Sequence, residues 1–253
     1  MLTRQRRQLI LKRLAAERQI VARELSVELG ISEDTIRRDL RELAAIGLLE
    51  RVHGGALPAS PALADFETRS QLESRGKQVI AVAAAGLIRT GQIVFIDGGT
   101  TCLQLAKALP DSLTATVVTH SPTIAAELAL PRHAGIDVIL IGGTLYKHSV
   151  VAVGAMAVEA IASLQTDIYF MGASGISVQA GLCTGHLEEA HVKRAVMARA
   201  TTTWVLASRE KLNAASPFLI APCESATGII LEKSTPRPDI AAFEQLGLQV
   251  LLA

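Results

Sequence analysis

Aromatic residues are scarce: Phe, Tyr and Trp together make up 3% of the 253 residues. A hydrophobic core must therefore be built from Ala, Leu, Ile and Val, and the 49% hydrophobic content is enough for one, which excludes a largely disordered chain. Cysteines are few and odd in number, Cys102, Cys183 and Cys223, with no Cys-x-x-Cys pair and no Cys/His metal spacing. We expect no disulfide framework and no metal site, and predict three buried thiols in a reducing cytoplasm.

Long apolar runs are missing as well. The longest, residues 79–88, is too short to span a bilayer. The basic start, residues 1–7, leads into an amphipathic stretch without a cleavage pattern, so no signal peptide is predicted. We therefore expect a cytoplasmic protein with no membrane partner.

The charge is nearly balanced overall but uneven along the chain. The length suits one small domain followed by one of ordinary size. Net charge is +1, yet residues 1–58 hold 11 Lys and Arg against 8 Asp and Glu, whereas the remainder holds 14 against 16. A basic end on a near-neutral body suggests that the small domain meets a polyanion.

The first 57 residues predict three helices followed by a two-stranded wing. A short second helix is expected over 21–29, and Gly30 breaks it because glycine adopts the left-handed conformation in which helices often end. Ser32 is a good N-cap for the third helix. That helix carries an apolar stripe with the spacing of a buried face, Ile36, Leu40 and Leu43. The glycine turn 53–55 then joins two short strands.

A helix, a tight glycine turn and a second helix place the polar face of the second helix outward, where it can enter a major groove. The outward positions are Ser32, Glu33, Thr35, Arg37, Arg38 and Arg41. Arginines can bind guanine edges with two hydrogen bonds or clamp phosphates. The alternative for any one arginine is a solvated helix face with ion pairs such as Arg38 with Glu42. The complete helix–turn–helix–wing pattern favours DNA binding.

Beyond residue 57 the pattern changes to a linker and then to alternating strands and helices. Residues 58–61 are rich in Pro, Ala and Ser, and the polar segment 65–77 is predicted to start a connecting helix that runs to 89. We therefore divide the chain into a DNA-binding domain (1–57), a linker with the start of the connecting helix (58–76) and an α/β effector-sensing and oligomerisation domain (77–253).

Seven short apolar strands are predicted in the third unit, at 93–97, 116–119, 137–141, 168–172, 203–207, 228–231 and 249–252. Helices are predicted between them at 101–108, 121–129, 153–163, 188–200 and 240–246. Strands that are apolar on both faces and spaced by helices predict a largely parallel sheet covered on both sides.

A loop of small residues, Asp97-Gly98-Gly99-Thr100-Thr101, ends the first of these strands and opens a helix. Small residues let the backbone approach a ligand, and the free N–H groups at the start of a helix attract an anion. The loop matches neither the P-loop nor the dinucleotide fingerprint, and we expect no cofactor. It predicts a phosphate cradle.

Similar loops end three further strands and contain His120, the pair Gly142 and Gly143, and Gly172. In an open parallel sheet ligands bind beyond the carboxyl ends of the strands, so the four loops predict one shared pocket. The charged side chains that could complete it are Lys147, Glu188, Lys193 and Lys211. The alternative for each is an ordinary surface charge.

Two runs, Thr35-Ile36-Arg37-Arg38-Asp39-Leu40 and His53-Gly54-Gly55-Ala56, together resemble the N-terminal module of the DeoR family of regulators. The resemblance implies that Thr35, Arg37 and Arg38 belong to a recognition helix. It also implies that Arg51 and His53 lie in the wing, near the DNA backbone or the minor groove. It continues in the runs 96–101, 117–121, 141–145, 172–176, 188–190 and 192–195. These imply a sensor domain similar in fold to ribose-5-phosphate isomerase-like sugar-phosphate proteins.

Several positions depart from the pattern of that family. The family usually has asparagine where His120 stands, often arginine at Tyr146, and commonly an acidic residue at His186. The run Ser208-Arg209-Glu210-Lys211-Leu212 stands where the family usually has Asp-x-Ser-Lys-Phe. These differences fall in the predicted pocket region and bear on which effector is bound.

The leading interpretation is a repressor of a carbohydrate-metabolism operon whose operator affinity shifts with a phosphorylated sugar. Its expected partners are double-stranded operator DNA, that sugar, and further copies of the chain in a dimer or tetramer, because linked modules bind far more tightly than one small winged helix. An activator is an alternative, since the sign of regulation depends on operator position. An isomerase-like enzyme is another, because Asp97, Glu188 and Lys193 could do acid/base work. No paired-carboxylate or nucleophile–base motif follows from the spacing, so no catalytic residue is predicted.

Overall fold

The structure, a computed structural model, describes residues 2–72 and 74–253. Its N-terminal part consists of α1 (Thr3–Glu17), β1 (Ile20–Val21), α2 (Ala22–Leu29), α3 (Glu33–Ala45), β2 (Glu50–Val52) and β3 (Gly55–Leu57). The three strands pair antiparallel in the order β1-β3-β2. The predicted wing is confirmed as β2 and β3. Strand β1 is an addition, because two residues are too few to show an alternating pattern.

The apolar stripe predicted for α3 is its buried face. Ile36, Leu40 and Leu43 are at most 3% exposed and belong to one core cluster with Ile10 of α1 and Leu25 of α2. Burying one such side chain stabilises a fold by roughly 1.5–3 kcal/mol. The stripe therefore determines how α3 is rotated, and its opposite face points outward.

The connecting segment is not the single helix predicted to run from 65 to 89, and that prediction is wrong. The segment contains a 3-10 turn (Pro61–Leu63), α4 (Phe66–Gln71) and α5 (Ser74–Ala85). Leu72 is extended, and Lys77 Nζ donates hydrogen bonds to the carbonyl oxygens of Arg69 and Leu72 at 2.6 and 2.5 Å. The last carbonyls of a helix lack helical partners, so this lysine satisfies the end of α4 from α5. The contact therefore links α5 to the end of α4.

The strands that follow are β4 (Ile93–Ile96), β5 (Ala115–Thr119), β6 (Ile136–Leu140), β7 (Thr144–Tyr146), β8 (Val151–Val153), β9 (Thr166–Gly172), β10 (Gly175–Ser177), β11 (Gly181–Thr184), β12 (Ala200–Ala207), β13 (Phe218–Ala221), β14 (Gly228–Leu231) and β15 (Gln249–Leu252). The main sheet has seven strands in the order β15-β14-β12-β9-β4-β5-β6, and every neighbouring pair is parallel. The predicted parallel sheet and its seven strands are confirmed.

Helices cover both faces of this sheet, as predicted. They are α6 (Thr100–Ala108), α7 (Pro122–Leu128), α8 (Ala155–Ala162), α9 (Leu187–Met197) and α10 (Arg237–Gln245). Helices α5, α6 and α7 share a core cluster on one face, and α8, α9 and α10 share another on the opposite face. The three cysteines are buried free thiols, also as predicted.

The shorter strands were not predicted. β7 and β8 form a hairpin, and β10, β11 and β13 form a small antiparallel sheet. Val153, predicted to start a helix, ends β8 instead. Strands of three or four residues show too little periodicity to be distinguished from loops.

Parallel strands bring their carboxyl ends to one edge of the sheet. Because β9, β4 and β5 are neighbours in the order of strands, the loops that follow them lie side by side. The linker reaches the same region: the hydroxyl of Ser60 donates to the carbonyl oxygen of Ser174, and Ala59 forms a bridge with Ala215. Residues from the linker can therefore take part in a site at this edge.

Candidate DNA interface and effector cavity

The outer face of α3 carries the side chains predicted to contact DNA. Arg37, Arg38 and Arg41 are exposed. Within the residues that the structure describes, Arg38 and Arg41 form no hydrogen bond or ion pair. The alternative pairing of Arg38 with Glu42 does not occur, because Glu42 pairs with Arg7 of α1. Two guanidinium groups are thus left available to a polyanion.

The first turn of α3 organises the remaining predicted positions. The hydroxyl of Ser32 accepts the backbone N–H of Thr35 at 3.3 Å, which caps the helix, and the two hydroxyl oxygens lie 2.9 Å apart. Glu33 pairs with Arg37 at 2.7 Å, one helical turn away. Exposed pairs of this kind contribute little free energy, so Arg37 can exchange Glu33 for a phosphate at low cost.

The wing brings two further predicted residues to the same surface. Arg51 and His53 are exposed and line a cleft with Arg37 of α3. Gly55 is required at the base of this wing, because a Cβ there would collide with the carbonyl oxygen of Ile20 in β1. The cleft therefore joins the recognition helix and the wing into one cationic surface.

Sequence reasoning missed the buried carboxylate that supports this surface. Asp39 is fully buried and pairs with Arg6 and, at 3.2 Å, with Arg7, both from α1. A buried carboxylate is stable only when it is paired, so these contacts join α1 to α3. The signal was present in the sequence, since Asp39 directly precedes Leu40 of the buried stripe.

A cavity lies at the carboxyl edge of the main sheet, against the first turn of α6. Its lining comes from the linker, the strand-end loops, α9 and the turn after β12. The lining residues are Ala62, Arg69, Lys77, Ser149, Thr184, Glu189, Lys193, Glu210, Lys211 and the segments 98–102 and 172–174.

Seven residues predicted for the effector site line this cavity: Gly98, Gly99, Thr100, Thr101, Gly172, Lys193 and Lys211. Gly99 caps α6 with a φ of 102°, a conformation that L side chains rarely adopt. The free N–H groups of the first turn of α6 therefore face a space that no side chain at this position obstructs.

Asp97 lies beneath the cavity and does not line it. Its Oδ1 accepts from the N–H of Gly98 and from His120, both at 2.8 Å. Its Oδ2 accepts from Gly172 N–H at 2.9 Å, from the hydroxyl of Tyr169 at 3.1 Å and from Lys193. Every acceptor site on the carboxylate is thus used within the protein.

The opposite charges of Asp97 and Lys193 stabilise each other, so both groups stay ionised. Burial by itself would raise the pKa of Asp97, but Lys193 and His120 outweigh it and hold that pKa well below its usual range. Burial would likewise lower the pKa of Lys193, but Asp97 outweighs it and the pKa is raised. Lys193 also donates to the carbonyl oxygen of Gly172 at 2.9 Å, so one of its three N–H groups remains for a ligand.

Lys211 contacts the first turn of α6. Its Nζ lies 3.2 Å from the hydroxyl of Thr101 and 3.4 Å from the carbonyl oxygen of Leu206. Burial lowers the pKa of Lys211 to about 8, and the neighbouring Glu210 opposes that shift only in part. Among residues 2–72 and 74–253, no carboxylate lies within ion-pair distance of this buried ammonium, which therefore suits an anion.

Sequence reasoning missed the contribution of the connecting segment. Arg69 of α4 and Lys77 of α5 both line the cavity, together with Glu189 and Glu210. Arg69 Nη2 donates to the hydroxyl of Ser149 at 3.2 Å. Arg69 lies in a segment that the sequence assigned to the linker. No local sequence pattern predicts that its side chain reaches the cavity.

The other predicted effector residues lie elsewhere. Gly142, Gly143 and Lys147 are exposed in and beside the β7–β8 hairpin, Glu188 is half-buried on α9, and none of them lines the cavity. His120 is buried beneath the cavity, where it holds Asp97. The four strand-end loops therefore do not share one pocket, and two of them, 97–101 and 172–175, contribute to its lining.

Two positions that depart from the family pattern meet in space. The rings of Tyr146 and His186 stack with centroids 3.9 Å apart and an angle of 15° between their planes. This aromatic pair therefore joins the end of β7 to the residue that precedes α9.

Among residues 2–72 and 74–253, no group of three His, Cys, Asp or Glu side chains could hold a metal ion. Within the same residues, no helix is both long and apolar enough to cross a membrane.

Known proteins similar to this chain are transcription regulators. The DeoR-like helix-turn-helix domain matches residues 6–61, and the DeoR C terminal sensor domain matches residues 72–233. The HTH-type transcriptional regulator GlpR of Haloferax volcanii is 34% identical over 90% of this chain and 89% of its own. The putative aga operon transcriptional repressor of Escherichia coli O157:H7 is 28% identical over 99% and 94%. The glycerol-3-phosphate regulon repressor of Haemophilus influenzae is 33% identical over 81% and 80%.

Similar solved structures are more distant. Ribose 5-phosphate isomerase A from Methanocaldococcus jannaschii is 17% identical with a TM-score of 0.39, over 54% of this chain and 53% of that one. At this TM-score the likeness carries no conclusion about function. The match to the sensor domain by itself spans more than half of the chain. The matched segment follows a winged helix with an exposed arginine face. The chain therefore belongs to the DeoR family of DNA-binding transcription regulators.

Proposed function

We propose that this chain is a cytoplasmic repressor of a carbohydrate-metabolism operon and that a phosphorylated sugar changes its affinity for the operator. The observation that carries the effector assignment is the cavity at α6. There the free N–H groups of a helix start, the buried ammonium of Lys211 and the guanidinium of Arg69 line one enclosed space. Helix starts and unpaired buried cations both favour a phosphate dianion.

The linker offers a direct route from effector to DNA. Ala62, Arg69 and Lys77 belong to the segment that follows the winged helix, and all three line the cavity. A ligand that contacts them in one arrangement of the linker and not in another binds the two arrangements unequally. Unequal binding is what linkage requires for an effector to alter DNA affinity.

The names of two relatives support repression and the chemistry of the effector. One is named a repressor of the aga operon, the other of the glycerol-3-phosphate regulon, and the second name includes a phosphate ester. An activator built on the same fold would bind DNA and effector in the same way, because the sign of regulation depends on where the operator lies relative to the promoter.

The test has two steps. The full-length protein first selects its operator from random DNA, and a mobility-shift titration then measures that operator with and without phosphorylated sugars. At a ligand concentration 100 times its Kd, binding to the native state should add about 2.7 kcal/mol of stability, visible as a thermal shift. A regulator that binds its operator but shows no thermal shift and no change in DNA affinity with any phosphorylated sugar would refute the effector assignment.

A further inference from the structure

We propose that Glu210 is a specificity-determining residue of the cavity, where it accepts a hydrogen bond from a hydroxyl or amino group of the effector. The inference rests on the proposed function, since it concerns the part of the same effector that is not phosphate. It restricts the effector to a phosphate ester with a hydrogen-bond donor within reach of this carboxylate.

Glu210 lies in the 3-10 turn Arg209–Lys211 after β12, and its side chain is 8% exposed. One oxygen is well occupied: Oε1 accepts from the hydroxyl of Ser208 at 2.8 Å and lies 3.5 Å from Lys77 Nζ. The other, Oε2, is buried, and no donor among the described residues reaches it. A buried carboxylate oxygen without a donor is costly, so its retention needs an explanation.

The position of Glu210 in the cavity lining explains this unpaired oxygen. Other buried side-chain atoms without a partner among the described residues belong to His133, Thr166, His186 and Ser216, and none of these residues lines the cavity. Glu210 lines the cavity and directly precedes Lys211 in the sequence. The unsatisfied acceptor is therefore on a residue that a ligand bound at Lys211 would approach.

The charges indicate which part of the ligand Glu210 meets. A phosphate dianion is attracted by α6 and Lys211 and is repelled by a carboxylate. A ligand that satisfies Oε2 must therefore present an uncharged or cationic part to it. The hydrogen-bond donors of such a part are hydroxyl and amino groups. A bare anion gains nothing from Glu210, whereas a phosphate ester that satisfies Oε2 does.

The neighbouring residues keep this carboxylate in place. The family pattern described above has aspartate at 208 and serine at 210, whereas this chain has Ser208 and Glu210, and the serine hydroxyl holds the glutamate. The carboxylate is thus moved by two positions along the turn.

The test compares binding of inorganic phosphate with that of matched phosphate esters, by calorimetry on the full-length protein. The esters are glucose 6-phosphate, 2-deoxyglucose 6-phosphate, glucosamine 6-phosphate and glycerol 3-phosphate. The variants are Glu210→Gln, which keeps the shape, and Glu210→Ser, which follows the family pattern. The control is Glu188→Gln, since Glu188 lies on α9 outside the cavity.

We expect the parent to bind at least one ester about 10-fold or more tightly than inorganic phosphate. Glu210→Gln should weaken that ester by about 10- to 100-fold and leave inorganic phosphate unchanged or tighter, as expected for loss of a hydrogen bond to a charged acceptor. Glu210→Ser should weaken the same ester and leave inorganic phosphate binding unchanged or tighter. Glu188→Gln should bind both ligands as tightly as the parent. Circular dichroism and the melting temperature verify that each variant is folded.

Two results would overturn the inference and leave the proposed function intact. One is an ester preference that Glu210→Gln and Glu210→Ser leave unchanged within twofold. The other is a parent that binds inorganic phosphate as tightly as every ester. A parent that binds neither phosphate nor any ester is a different failure, because it removes the anion site and with it the proposed function.

Discussion

Arg69 and Gly99 are neighbours across the effector cavity: a Cβ placed on Gly99 would lie 3.8 Å from Arg69 Nη1. Gly99 caps α6, and Arg69 belongs to α4 in the connecting segment. The guanidinium of the linker therefore lies directly beside the N–H groups proposed to bind phosphate. An anion held there touches the sensor domain and the linker at once.

Removing the guanidinium of Arg69 should remove a contact between the effector and the linker. Arg69→Gln is expected to weaken a phosphate ester by about 10-fold or more, because a charge-assisted hydrogen bond contributes about 1.5–3 kcal/mol. Operator affinity in the absence of effector should stay within twofold. Calorimetry and mobility-shift titrations measure the two quantities. Arg75→Gln is the matched control, since Arg75 is exposed on α5 of the same segment; equal effects of the two variants would count against the assignment.

Arg38 tests the assignment of α3 as the recognition helix. Arg38→Ala should weaken operator binding by about 1–3 kcal/mol if Arg38 contacts a base, and by less if it touches only phosphate. Its side chain lies off the buried stripe, so the melting temperature should barely change. Arg237→Ala, on α10 of the sensor domain, is the control. An unchanged mobility-shift titration for Arg37→Ala and Arg38→Ala combined would remove α3 from the interface.

Gly99→Asp should abolish effector binding while operator binding persists. Like-charge repulsion of the phosphate is one reason, as the sequence suggests. The structure adds two: the φ of 102° is strained for any side chain, and the new carboxylate would lie beside Arg69 and compete with the phosphate for it. Calorimetry against an ester that binds the parent decides the matter. Gly91→Asp separates strain from blockage, because Gly91 has a φ of 84° and nothing within 4 Å. Undiminished affinity in folded Gly99→Asp would locate the phosphate elsewhere.

Effector affinity should fall as pH rises through about 8. Below that pH Lys211 is mainly charged and attracts the dianion, whereas above it the ammonium loses its proton. The second pKa of a phosphate monoester is near 6, so the ligand is already a dianion in this range. From pH 7.5 to 9 the Kd should rise about 5- to 10-fold, with proton uptake on binding. Burial raises the pKa of Cys102 to about 12, which leaves that thiol out of this window.

The matched variant for this prediction is Lys211→Met, which keeps the length of the side chain without its charge. It should bind phosphate esters weakly and with a flat dependence between pH 7.5 and 9. Calorimetry in buffers of different ionisation enthalpy gives the number of protons taken up. The same slope in Lys211→Met as in the parent would assign the titration to another group.

The protein should act as a dimer or a larger oligomer. One winged helix offers few contacts, and two linked modules bind far more tightly through effective concentration. Sedimentation at micromolar concentration measures the assembly, and the selected operator should contain repeated half-sites. A monomer that still binds its operator tightly would contradict the prediction.

Periodicity alone located most of the fold. The stripe Ile36, Leu40 and Leu43 placed α3 correctly, and the apolar runs at 228–231 and 249–252 have the exact bounds of β14 and β15. These signals are reliable because burial forces a repeat of 3.6 or 2 residues on any element long enough to show one. Strands β7, β8, β10, β11 and β13 were missed since they are too short to show it.

The composition of the effector cavity depended on contacts that no local pattern contains. Two local features could be predicted from the sequence, a loop of small residues after β4 and arginines on the outer face of α3, because both depend on residues adjacent along the chain. That Arg69 and Glu210 line the cavity, whereas Gly142 and Lys147 do not, depends on the tertiary fold. Arg69 and Lys211 are separated by 142 positions in the numbering. They share the cavity because Lys77 of α5 binds the carbonyl oxygen of Arg69 and because parallel strands present their carboxyl ends at one edge.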